Sequence, residues 1–247
     1  MRVAVLLAVG LLLVGCGGSN DNKSAGGGNN MDCEIGGDAS KAELADLEDG
    51  KTHSVVVDTN KGSFTFELAT DISPCTTAAF AGLVQKGFFD GLTFHRIVPG
   101  FVIQGGDPQG NGMGGPGYTT VDAPPQDTKY EKGLVAMAKA GNEPAGTSGS
   151  QFFVVSADGV QLPPDYAVLG RVTDGIDVVE KIGELGNPND PNGAPTEKVT
   201  IDKMELGSGG SRRSCWRPER RAASAASSSG SCSNRSSNAS ARARWTT

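Results

Sequence analysis

Short apolar runs separated by glycine, proline, asparagine or aspartate recur through the middle of the chain, and their spacing sets the elements expected there. Residues 54–58, 63–68, 93–98, 101–104, 134–138, 151–155, 167–172 and 199–206 are rich in Val, Phe and Ile and too short for helices, so they read as strands. Phe64, Phe66 and Leu68 alternate with polar residues as a half-buried strand requires, and Asn60-Lys61-Gly62 offers a hairpin turn before them. Two segments leave this period. Ser73-Pro74 opens a helix that runs to Lys86 before Gly87, with Ala79, Phe80, Leu83 and Val84 as its apolar stripe. A shorter helix over 176–182 follows Asp174-Gly175, and 41–47 carries a weaker helical pattern. The expected class is mainly β and antiparallel, with no internal repeat.

The ends have a different character. Behind Met1-Arg2, residues 3–14 form an apolar run of the length of a secretory signal core, too short to span a bilayer as a mature helix. Leu13-Val14-Gly15-Cys16 follows the pattern of a lipobox, in which the signal is cut before a cysteine that becomes the lipid-modified N-terminus. An ordinary signal peptide with an unrelated cysteine is the competing reading. Residues 17–30 are mostly Gly, Ser, Asn and Asp and cannot bury a core. The expected organisation is a signal peptide at 1–15, a lipidated flexible tether and pre-domain segment at 16–50, and a folded domain at 51–207. A basic tail at 208–247 completes it. The protein is then exported and lipid-anchored to the cell membrane, facing outside the cytoplasm.

Charge separates the tail from the rest. Residues 1–207 hold fourteen Lys and Arg against twenty-seven Asp and Glu; the tail holds eight Arg against one Glu. A basic tail can bind nucleic acid or an anionic surface. Its abrupt change of usage favours the other reading, a disordered segment that need not be native, and no nucleic-acid partner is expected.

Candidate chemistry concentrates in Phe94-His95-Arg96-Ile97-Val98-Pro99-Gly100-Phe101-Val102-Ile103-Gln104-Gly105-Gly106-Asp107, which sets one guanidinium and one amide among apolar residues. Such a site suits an uncharged, partly apolar substrate. In strand alternation Phe94, Arg96 and Val98 share a face, and the Pro-Gly step turns the chain so that Arg96 lies near Phe101. Strict pairing about that step puts Gln104 on the opposite face; joining Arg96 requires a bulge, which Gly105-Gly106 permits. Arg96 stands out in a body that prefers Lys, and its planar donors are hard to replace. His95 lacks the Ser or Cys partners of a hydrolase and reads as a buried, hydrogen-bonded histidine. Gly110-x-Gly112-x-x-Gly115 fits a dinucleotide pattern by letter, but Pro116-Gly117 stands where a helix must begin, so it reads as a surface loop. Residues 187–193 lack the Asp density and terminal Glu of a calcium loop and read as a turn-rich connection.

The run from Phe94 resembles the signature of the cyclophilin family of peptidyl-prolyl cis-trans isomerases. The resemblance continues, in the family's order, through Gly133-Leu134-Val135-Ala136-Met137-Ala138, Gly149-Ser150-Gln151-Phe152-Phe153-Val154 and Tyr166-Ala167-Val168-Leu169-Gly170-Arg171-Val172, and covers roughly 54–206. It implies a closed eight-stranded antiparallel β-barrel capped by two α-helices, acting on X-Pro bonds in exported proteins or peptides. It assigns catalysis to Arg96, Phe101 and Gln104, and substrate binding to Val102, Ala138, the main chain of Lys139, Phe153, Leu162 and Tyr166. Without the resemblance, Phe101, Val102, Phe153 and Leu162 read as ordinary core. Val102 stands where many members have Met, Lys139 where they have Asn, Gln161 where the best-known have Trp, and Tyr166 where they have His. Loss of the indole donor at Gln161 implies weak or no cyclosporin binding. No cofactor and no metal site is expected, because no cysteine pair has metal-ligand spacing and the chain has two histidines. The expected state is a monomer. Cys33 and Cys75 are free to pair in an oxidising compartment, tying the pre-domain segment to the barrel, although two cysteines alone do not fix a pairing. A different class remains open: a non-catalytic proline-peptide-binding or chaperone module anchored at the membrane.

Overall fold

The computed structural model describes residues 32–211 except Pro191, with the side chains of 208–211 left aside. The signal run, Cys16, the tether to residue 31 and the tail from residue 212 lie outside the described residues. In chain order the elements are β1 (Ile35–Gly37), β2 (Lys51–Thr59), β3 (Gly62–Leu68), α1 (Pro74–Gln85), β4 (Arg96–Val98), β5 (Val102–Gly105), β6 (Tyr118–Val121), β7 (Leu134–Met137), β8 (Thr147–Ser148), β9 (Phe152–Val155), β10 (Val168–Asp174), α2 (Ile176–Gly183) and β11 (Ile201–Ser211).

The eight apolar runs all become strands of one antiparallel sheet, ordered β11-β2-β3-β10-β7-β9-β5-β4. The sheet curls into a half-barrel and stays open, which corrects the expected closed barrel. Its edge strands β11 and β4 share no ladder. Irregular chain just before β4 approaches β11 through one isolated bridge, Thr93 to Thr200, through the N–H of Phe94 donating to Val199 (3.0 Å), and through Ile201, which accepts from the Gly91 N–H and donates to the Leu92 carbonyl (2.8 Å each). Too few consecutive residues there are extended for a ladder to form. The outer side of β4 is covered instead by the connection after α2, where the Ile97 N–H donates to the Gly193 carbonyl at 2.7 Å. That connection is the turn-rich stretch expected at 187–193.

Period-two alternation divides the interior in two. Val55, Val57, Phe64, Phe66, Val135, Met137, Phe152, Val154 and Leu169 face the main core inside the curl, together with α1 and α2. Their neighbours Leu134, Ala136, Phe153, Val155 and Val168 face a second, smaller cluster on the other side. Strands covered on both faces read as unbroken apolar runs, which is why sequence could locate β7 and β9 but not orient them.

Helix α1 begins at the expected Ser73-Pro74 and is buried on every side rather than along one stripe, Cys75 through Val84 all being buried. Phe80 packs edge-on to Phe66 and Phe152, at 6.1 and 5.6 Å between centroids. The opposite side is covered by residues 42–47. These were expected to be helical; the chain makes only a short 3-10 turn at Ala39–Lys41 and then runs extended over α1. Burial decides the outcome. Ala42, Ala45 and Leu47 enter the core, and the Ala45 N–H donates to the Ala78 carbonyl at 2.9 Å. Gly82 permits the approach, since a Cβ there would lie 2.0 Å from the Glu43 carbonyl. Cys33 and Cys75 are joined by a disulfide.

A second sheet escaped the sequence reading: β1-β6-β8, antiparallel, with Ile35 opposite Thr120 and Thr120 opposite Ser148. Asp122, one residue past β6, fastens this sheet to α1. Its carboxylate accepts from the Thr76 N–H at 2.6 Å, supplying the N-terminal cap that the Ser73 side chain does not make.

Candidate active site

Five strands contribute to one cross-strand row. Arg96 on β4 pairs with Gln104 on β5, Gln104 with Phe153 on β9, Phe153 with Ala136 on β7, and Ala136 with Val168 on β10. Directly opposed residues share a face, so Arg96 and Gln104 lie side by side without a bulge. This corrects the expected geometry. The turn after β4 has three residues, Pro99-Gly100-Phe101, pairing Val98 with Val102 and shifting the register by the one residue that parity needed. Gly105-Gly106 serves close packing instead: a Cβ on Gly105 would sit 3.1 Å from the Phe94 ring, and one on Gly106 2.4 Å from the Ser150 carbonyl. Phe94 lies in the main core rather than on the Arg96 face, and the pairing of β4 with β5 begins only at Arg96.

The second cluster is the apolar wall beside this row. Val102 and Phe153 are buried in it, and Phe101, Ala138, Leu162 and Tyr166 pack against it half-exposed. Phe153 meets Tyr166 edge-on at 5.4 Å. Tyr130, which sequence reasoning missed, braces both rings, at 6.3 Å from Phe153 and 5.9 Å from Tyr166. Its hydroxyl donates to the Tyr166 carbonyl (2.7 Å) and accepts from the Tyr166 N–H (3.0 Å). Burial pushes the Tyr130 phenol up to about 12, so it stays neutral and able to donate. The Lys139 ammonium stands 5.8 Å from the Tyr166 ring centroid and donates to the Glu143 carbonyl at 3.1 Å.

Amides continue the polar side. Arg96 donates to Gln104 Oε1 (3.4 Å), Gln104 Nε2 to Gln151 Oε1 (3.1 Å), and Gln151 Nε2 to the Gly114 carbonyl (2.9 Å). Gly114 lies in the glycine-rich loop that Asp107 organises, accepting from the N–H groups of Gln109 (2.7 Å), Asn111 (2.9 Å) and Gly112 (2.5 Å). Burial alone would raise the Asp107 pKa; these backbone donors outweigh it and hold the carboxyl below its ordinary value. His95 is half-buried nearby. Burial holds its pKa below the ordinary value despite the Asp107 charge and a backbone hydrogen bond at Thr93. A groove of about 470 Å³ opens beside the apolar wall, reached by Gln104, Gln151, Gly114, Ala138, Lys139 and Gly37.

A family described as cyclophilin type peptidyl-prolyl cis-trans isomerase matches residues 54–206, more than half of the chain. The chain belongs to the cyclophilin family. Among curated cyclophilins it is 44% identical to peptidyl-prolyl cis-trans isomerase B of Bacillus subtilis strain 168 over 118 residues, 47% of this chain and 80% of the relative. It is 39% identical to the probable peptidyl-prolyl cis-trans isomerase B of Mycobacterium tuberculosis H37Rv over 170 residues, 62% of this chain, and spans about half of that relative's length (54%). A crystal structure of a Cryptosporidium parvum cyclophilin in the presence of the dipeptide Ala-Pro matches with a TM-score of 0.56 and 30% identity, covering 63% of this chain and 99% of that one.

Each residue assigned through the cyclophilin resemblance therefore falls on one side of the sheet. Arg96 and Gln104 form the polar margin; Phe101, Val102, Phe153, Leu162 and Tyr166 form the apolar wall; Ala138 and Lys139 lie between wall and groove. Gln161, the departure beside Leu162, is exposed. Gln151 lies within the family-like stretch Gly149-Ser150-Gln151-Phe152-Phe153-Val154, and the resemblance assigns it no part in the site. The signal that could have found it is an amide polar head at the start of an otherwise apolar strand.

Proposed function

We propose that this cyclophilin domain accelerates cis–trans rotation about X-Pro bonds in exported polypeptides. The observation that carries the reading is the single face on which Arg96 and Gln104 border the apolar wall of Phe101, Val102, Phe153, Leu162 and Tyr166. The barrier is about 18–20 kcal/mol because the amide has partial double-bond character, and no bond is made or broken in crossing it. Holding the proline ring on the wall and binding the twisted amide better than the planar one is sufficient. Twisting removes conjugation and leaves a lone pair on nitrogen, to which the Arg96 guanidinium donates. Gln104, turned by its bonds to Arg96 and Gln151, holds the substrate backbone. A hydrogen bond to a charged donor contributes about 1.5–3 kcal/mol, roughly ten- to a hundredfold in rate, and the fixed proline ring supplies part of the remainder.

The polypeptide acts outside the cytoplasm, held by a lipid on Cys16, as a monomer that binds cyclosporin weakly or not at all. The lipobox-like Leu13-Val14-Gly15-Cys16 supports that location, as does a disulfide of the kind that persists in oxidising compartments. Mass spectrometry of the mature protein reads the modification directly. For the activity, exchange between cis and trans forms of a proline peptide is measured with the full chain and with Arg96→Ala. Turnover well above the uncatalysed rate, lost in the variant, supports the isomerase. Background rates with retained peptide binding would replace it with a proline-binding module.

A further inference from the structure

We propose that residues 33–37, which precede the region matched by the family, form a fixed wall of the substrate groove and position the loop that carries Gly114. The inference rests on the isomerase reading of that groove. Gly37 lines the groove together with Gln104, Gln151 and Gly114, so a segment foreign to the family match borders the amides that hold substrate. Its strand β1 pairs with β6, placing Gly37 opposite Tyr118, and the N–H of Asp38 extends the contact to the Gly117 carbonyl at 3.0 Å. At Gly37 the backbone is left-handed, φ +75°, and a Cβ would come within 2.8 Å of the Gly117 carbonyl. Only glycine fits that approach without displacing the loop.

The loop needs a wall. Gly112, Gly114, Gly115 and Gly117 give it great conformational freedom, and ordering such a chain is entropically unfavourable unless its neighbours are already fixed. Asp107 fixes the start of the loop, and β1 fixes its exit. The wall is itself anchored at two points on α1: covalently, Cys33 to Cys75, and through the Ala45 N–H on the Ala78 carbonyl. Loss of the covalent anchor frees β1 to leave β6. The consequence passes along the bonds from Gly114 to Gln151 to Gln104. A substrate that reaches past the proline wall into the groove senses the change, whereas one confined to the wall does not.

The test uses the full chain with the cysteine pair replaced (Cys33→Ser with Cys75→Ser) and, separately, Gly37→Val, which keeps the disulfide but displaces the Gly117 contact. Exchange rates are measured for a blocked X-Pro dipeptide and for a peptide with four residues before the proline. With the ordered wall populated about one fifth of the time, KM for the longer peptide rises about fivefold while kcat stays within about twofold. The dipeptide is unaffected. The proposal is overturned if variants with parental circular dichroism and cooperative melting keep the parental KM for the longer peptide, or if KM rises equally for both substrates. Gly37→Val carries the test alone if the cysteine variant does not fold. Background turnover by the parent protein on both peptides would instead overturn the isomerase reading beneath it.

Discussion

Arg96 carries five N–H donors in a planar fork and directs one of them to Gln104, leaving the others free for a substrate. A lysine at this position keeps the charge but loses the fork. Arg96→Lys is therefore expected to lower kcat/KM by about ten- to a hundredfold with little change in melting temperature, measured by peptide exchange and calorimetry. His95 makes the opposite kind of prediction. Burial depresses its folded pKa, so below its unfolded value of about 6.5 the unfolded chain takes up a proton that the native state resists. Stability is then retained above that pH and falls as pH drops through it; His95→Gln removes this contribution, and melting curves at pH 7.5 and 5.5 compare the two slopes. At this scale the sequence was informative about Arg96 and Gln104, because a guanidinium and an amide are conspicuous in apolar strands, whereas Phe101 was singled out only through the family resemblance. Tyr130 and Asp107 were not legible, since their roles depend on backbone groups brought close only by the fold.

Elements differ in how openly their residues declare them. The eight main strands announce themselves through β-branched and aromatic runs, and α1 through Ser-Pro at its start. Ile35–Gly37 and Thr147–Ser148 carry no such pattern, being short and poor in large apolar residues, and their pairing depends on β6 between them. The side on which Gln104 falls was undecidable for a similar reason: one added turn residue inverts parity, and Pro-Gly tolerates either length. The capping of α1 by Asp122 is likewise a contact between distant segments. Burial raises the Asp122 pKa, so its charge is costly, while its acceptor oxygen is needed by Thr76. Asp122→Asn, which keeps an acceptor, should cost less than Asp122→Ala. The alanine variant is expected to lose about 1 kcal/mol, or roughly 2–4 °C in thermal melting.

Across the whole molecule, the disulfide closes a span of 42 residues between the pre-domain segment and α1. A closure of that size contributes about 2–4 kcal/mol, so the Cys33→Ser, Cys75→Ser protein is expected to melt roughly 5–15 °C below the parent in scanning calorimetry. An unchanged melting temperature would show that burial of Ala42, Ala45 and Leu47 suffices to hold the segment. The eight strands of the main sheet were within reach of the sequence because each follows from an apolar run, whereas their order in the sheet and the second sheet were not. Closure was not, since it depends on whether two distant edges meet in register over several residues.

The covering of β4 bears on how the protein can be altered. Residues 186–195, dense in Asn, Asp, Pro and Gly, look like the most permissive place to graft a reporter or a tag. They are the least. A Cβ on Gly186 would strike the Ile97 carbonyl at 2.4 Å, and one on Gly193 would press on Val98 and on the Arg96 stem, at 2.9 and 3.1 Å. An insertion scan across the surface should find a dead zone there, far from Arg96 in sequence but packed against its side-chain stem.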